Sequence, residues 1–130
     1  MTKAALNIIS DAMESLGIEY GFGEYSTDEG GNVVYPYFVG EYTETEPFTE
    51  DGLQETMFML NGFSRGSWLA LEEAKEKIER HFSKVYGNRM ITANGSAVVI
   101  FYANSLIVPT GDAELKRIQI NLRVKEWKVN

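Results

Sequence analysis

The chain has 130 residues, is 44% hydrophobic and 24% charged, and carries a net charge of −7, the profile of one globular domain that can bury its own core. Cysteine is absent, which excludes a disulfide framework and thiolate chemistry and fits a reducing compartment. Residues 1–60 hold twelve acids and the single base Lys3, a net −11, whereas residues 61–130 hold seven acids and eleven bases, a net +4; this asymmetry suits two surfaces that meet different partners, or one copy that meets another, and it equally suits plain solubility.

Ala5, Ile8, Ile9, Ala12, Met13 and Leu16 recur at helical spacing, and Gly17 follows as a stop. Residues 4–16 are therefore expected to form a short amphipathic helix. This N-terminal stretch carries Asp11 and Glu14 and no long apolar run, so it does not read as a signal peptide, and no later run is long enough to span a membrane. Ile18 to Asn32 is glycine-rich and reads as a loop, or as a frayed strand and a turn.

Val33–Tyr42, "VVYPYFVGEY", has the β-branched and aromatic content of a strand, and Pro36 would confine it to an edge or a bulge. An acidic connection leads to "LQETMFMLNGF", a second strand with Thr56, Phe58 and Leu60 on one face and Met57 and Met59 on the other. The two strands are expected to pair as a hairpin with an acidic tip. Ser67 is an N-cap for a helix whose stripe is Leu71, Ala74, Ile78, Phe82 and Val85, ending at Gly87 or Asn88.

A strand at Ala97–Tyr102 follows, with a short segment at Leu106–Val108. The last element alternates: Ile118, Ile120, Leu122 and Val124 face one way, and Arg117, Gln119, Asn121, Arg123 and Lys125 the other. These readings predict a single α+β domain over residues 1–130: an antiparallel four-stranded sheet with two helices packed on one side, in the order α-β-β-α-β-β.

Chemical motifs are scarce. His81, the one histidine, has no partners at catalytic or metal-ligand spacing. "GFGEYSTDEGGN" does not pass from a strand into a helix, as a phosphate-binding loop would. "TETEPFTEDG" lacks the alternating ligands of an EF-hand loop. The expectation is a protein that is not an enzyme, with no catalytic, cofactor-binding or metal residues and no cofactor.

The succession of a short helix, the strand "VVYPYFVGEY", an acidic connection, a second strand, a helix ending "ERHFSKVYG" and the terminal "AVVIFYANSLIVPTGDAELKRIQINLRVKEW" resembles the tail terminator (tail completion) proteins of long-tailed bacteriophages, of the lambda type, and related minor structural proteins of the phage neck. The likeness covers most of the chain and lies in length, element order and strand character. The glycine-rich stretch Gly21–Gly31 departs from it. The resemblance implies a virion protein made in the bacterial host cytoplasm. Its subunits form a homo-oligomeric ring, hexameric in the family, that caps the tail tube and joins it to the head. Its partners would be the tail tube protein and the head–tail connector proteins, with DNA only as cargo through the ring and no membrane contact.

A ring uses head-to-tail interfaces, so the two patches that meet must differ. The candidate patches are an acidic one, Glu41, Glu44, Glu46, Glu50 and Asp51, and a basic one, Arg117, Arg123 and Lys125. Two other readings compete: an acidic inhibitor that mimics DNA, and a small ligand-binding or enzymatic α+β domain.

Overall fold

The computed structural model describes residues 1–27, 30–44, 52–83, 87–91 and 95–127. Its elements in chain order are α1 (Lys3–Ser15), β1 (Glu19–Phe22), β2 (Tyr37–Glu44), β3 (Leu53–Arg65), α2 (Trp68–His81), β4 (Asn88–Ile91), β5 (Ala97–Ile107) and β6 (Leu115–Trp127). The six strands form one sheet, in the order β1-β2-β3-β6-β5-β4. The sheet is curled into a half-barrel.

The expected antiparallel four-stranded sheet is thus corrected to a six-stranded mixed one. The four anticipated strands are its centre. The two additions are four-residue strands at its edges. β4 pairs antiparallel with the start of β5, and β1 pairs parallel with β2, Glu19 to Phe22 against Tyr37 to Gly40. The parallel pairing makes the sheet mixed. Edge strands this short carry no legible alternation, and the register of β1 depends on a partner some eighteen residues further along the chain, Glu19 opposite Tyr37.

α1 follows from its sequence. The Thr2 hydroxyl accepts from the Ala5 amide at its start. At its end, Ile18 N–H donates to Met13 C=O and Gly17 N–H to Glu14 C=O, with Gly17 at φ 70°: a Schellman stop, which the left-handed region makes natural for glycine. α2 begins on the expected cap, with the Ser67 hydroxyl accepting from Leu69 N–H. It ends at His81, earlier than expected. Phe82 leaves the helix at φ −107°, ψ 52° and its carbonyl accepts from Tyr102 N–H, so the sheet takes over the last helical carbonyl. Val85 lies outside the described residues.

The sheet has two faces. Phe38, Phe58, Leu60, Val98, Ile100, Tyr102, Ile118, Ile120, Leu122 and Val124 point to one of them and join Ala5, Ile8, Ile9, Ala12 and Met13 of α1 and Leu71, Ala74 and Ile78 of α2 in a single core. The alternation expected in the last strand is borne out: Ile120, Leu122 and Val124 are fully buried and Ile118 nearly so. Two glycines let rings lie flat in this core. A Cβ on Gly62 would sit 2.4 Å from the Phe38 ring, and one on Gly40 would sit 2.5 Å from the Phe58 ring and 2.6 Å from Tyr20 Oη. Phe38 stands opposite Gly62 in the ladder, so the empty glycine position is filled by the ring beside it.

Candidate assembly surface

The second face of the sheet belongs to the odd-numbered residues of β2, β3 and β6. Over its β2–β3 half, Tyr25 stacks on Tyr37 at 4.4 Å between ring centroids, and Tyr37 on Phe63 at 5.2 Å. The Arg117 guanidinium caps the pile, 5.5 Å from the Phe63 ring centroid. Burial first, and then the nearby Tyr35 and Tyr25, pushes the Tyr37 phenol above its ordinary value. Arg65 Nε donates to Tyr35 Oη, and this bond, before any other cause, holds its guanidinium above its usual value.

A polar chain crosses three strands beside the stack. Arg117 Nη2 donates to Asn61 Oδ1 at 2.9 Å, and Asn61 Nδ2 donates to Glu41 Oε1 at 3.2 Å. Asn61 is only 6% exposed, so its amide is spent inside this chain. Tyr25, Tyr37, Phe63, Asn61, Glu41 and Arg117 help line an open groove of about 480 Å³.

Of the acids expected at the interface, Glu41 is therefore engaged with its own sheet. Glu44, at the end of β2, is paired with the Met1 ammonium. Glu46, Glu50 and Asp51 lie outside the described residues. Of the expected bases, Arg117 belongs to the polar chain with Glu41, so these two share one face instead of standing on separate flanks. Lys125 lies 3.6 Å from Glu55 on the neighbouring strand. Arg123 is exposed and stands across the ladder from Met57 and from Phe101. Arg123 and Lys125 line a second groove of about 430 Å³ with Phe101, Tyr102, Ala103 and Asn104.

That groove lies over β5 and β6, next to a stretch of sheet edge that the sequence reading did not single out. β4 covers β5 only from Ala97 to Ile100, and Phe82 takes the Tyr102 amide. From Ala103 to Ile107 β5 has β6 on one side and, among the described residues, no strand on the other. No charge or proline interrupts Ala97–Ile107, and Leu106 and Ile107 are 47% and 60% exposed. Uncharged, uninterrupted edges are what monomeric sheet proteins avoid. The missing charge in "AVVIFYANSLIV" was the signal available in the sequence. The expected break after Tyr102 hid it; β5 is one strand with a bulge between Tyr102 and Asn104.

At the opposite end of the sheet, β1 is likewise an edge. Here Phe22, 48% exposed, stacks on Tyr42 and Phe58. The exposed acids Glu19, Glu24, Glu41 and Glu44 lie on or beside β1 and β2, and the chain has no Lys or Arg from residue 4 to residue 64.

His81, half-buried at the end of α2, lies 2.8 Å from the Asn88 amide through Nε2 and edge-on to Phe82. It ties the helix to β4. Among the described residues no three His, Asp or Glu side chains gather as metal ligands would, and no helix is long and apolar enough to cross a membrane. No protein-family model matches the chain, and no curated protein matches it.

Proposed function

We propose that this protein is a structural subunit that works by joining copies of itself head to tail into a ring, as a tail terminator does at the end of a phage tail tube. The observation that supports the reading is the inequality of the two sheet ends. One is acidic and closes on a short parallel strand; the other ends on β4, which carries Arg89, and leaves part of β5 open, uncharged and flanked by Arg123 and Lys125. Unlike patches on one subunit are what a cyclic interface needs. The phage assignment rests on the resemblance, whose β2–β3 hairpin, α2 and β5–β6 pair are all present; the short strands β1 and β4 are additions to that plan.

In this reading the product is a surface. The ring has no catalytic task and no cofactor, its partners are the tail tube and connector proteins, and DNA passes through it in the virion. Acids facing a lumen keep phosphates from sticking. Electron microscopy of the protein mixed with tail tubes tests the reading: rings seated on tube ends are expected, and tubes that stay bare at high protein concentration would overturn it.

The stacked groove of about 480 Å³ beside Arg117 favours a second reading, a ligand-binding domain, since its volume falls in the usual range of roughly 300–1,000 Å³ for small-molecule sites. Binding of a small aromatic carboxylate that Arg117→Ala abolishes would favour it over the ring.

A further inference from the structure

We infer that the open edge of β5, Ala103 to Ile107, is completed by the β1 edge of a second copy, so that the sheets of successive subunits run on into one another. The inference rests on the ring reading and names the surfaces that make it.

The β5 edge offers five residues without a lateral strand among the described residues. β1 is a four-residue strand whose single neighbour in the sheet is β2. The four residues of β1 fit within the five of the open segment, and each chain carries both. Backbone pairing across such edges is a general route to association. The open segment has no lysine, no proline and no inward charge of the sort that blunts edges. The one irregularity, the bulge at Tyr102/Asn104, precedes most of the segment.

The side chains agree with the backbone. Asn104 and Leu106 pair with Asn121 and Gln119 and so share the outer face with Arg123. Glu19 pairs with Tyr37 and faces the same way within its own sheet. A β1 strand laid beside β5 with its outer face kept outward brings Glu19 over the groove of Arg123 and Lys125. Arg123 has no acid partner among the described residues, so an incoming carboxylate gives it one. The exposed Phe22 of the arriving copy and Leu106 and Ile107 of the receiving one supply apolar area to the same junction.

Joining unlike edges also accounts for direction. Two β5 edges pairing with each other would be isologous and stop at a dimer, whereas β1 on β5 leaves one open edge of each kind until the circle closes.

The absence of cysteine makes the test direct. Glu24→Cys, just past β1 and sparing Glu19, and Asn104→Cys, singly and together, are treated with a short bis-maleimide at high protein concentration. The double variant is expected to give a ladder of dimer, trimer and higher species, and neither single variant alone a dimer. Adding Leu106→Lys and Ile107→Lys should cut the ladder by about tenfold or more, the effect of a little over 1 kcal/mol per junction. Circular dichroism and thermal melting of each variant confirm that the fold is kept. A dimer from Asn104→Cys alone overturns the inference, because like edges then meet. A double variant without a ladder also overturns it. If native mass spectrometry of the parent still shows multimers in that case, the ring reading stands and uses another face; if the parent stays monomeric and leaves tube ends bare, both fall.

Discussion

The two ends of the sheet are built by opposite means. At the β1–β2 end aromatic rings lie in glycine gaps, Phe38 over Gly62 and Phe58 over Gly40, and more rings pile on the outer face. The geometry there is filled and specific, and its surface is acidic. At the β5 end the edge runs on past its short cover strand, with Leu106 and Ile107 in solvent and no charge along the strand. Both ends leave a strand edge without a neighbour among the described residues, β1 at the first and β5 beyond Tyr102 at the second. They differ in what surrounds that edge: stacked rings and acids at the first, an uncharged strand with exposed aliphatic side chains at the second.

Four changes break or sharpen this contrast. Ile120 lies on β6 between the two ends and is fully buried. Ile120→Asp buries a carboxylate in the shared core at a cost of several kcal/mol, against a total stability of roughly 5–15 kcal/mol. Both ends should be lost together, seen as the absence of a cooperative melt. A variant melting at the parental temperature would show that the two faces of β6 have been misassigned.

Gly62→Ala strikes the filled end alone. Its Cβ must displace the Phe38 ring, 2.4 Å away, and overpacking of this kind costs about 1–3 kcal/mol. Urea unfolding should show a lower midpoint, with the slope unchanged.

Tyr20 gives the filled end a pH signature. Burial raises its phenol from 10.0 to about 12. Below its ordinary value the phenol is protonated in both the folded and the unfolded chain, so the contribution is fully present there. It is lost as pH rises from about 10 to about 12, because only the unfolded chain then ionises. Discounted for partial exposure, the loss is about 1–2 kcal/mol. Tyr20→Phe should flatten the stability profile in that window, as read by denaturant midpoints at successive pH values.

The smallest effect on stability is expected at the open end. Leu106→Lys with Ile107→Lys should shift stability by no more than about 0.5 kcal/mol, as for most exposed positions. A loss of several kcal/mol would mean that these side chains already serve the fold of the single chain.

How much of this was legible in the sequence depended on how local the cause was. Gly17 and Ser67 signal helix ends by their own chemistry, and the structure uses both, while the Thr2 cap of α1 was not anticipated. The alternation of Ile118 to Val124 gives a face directly. β1 and β4 were hidden because four residues show no periodicity, and the parallel register of β1 is decided by distant residues. α2 stops early because a carbonyl is claimed by Tyr102, twenty residues on, which no helix propensity reports. The candidate interface was legible as charge but not as place: Glu41 and Arg117, expected on separate flanks, meet through the buried Asn61. The open edge showed only as a stretch without charge.

The claim that unlike ends join head to tail is met most directly by native mass spectrometry of the unmodified protein over a concentration series, with and without tail tube protein. The predicted result is a monomer in dilute solution that gives way to one closed multimer larger than a dimer, earlier when tube protein is present. A two-fold dimer that persists on dilution and grows no further would contradict it.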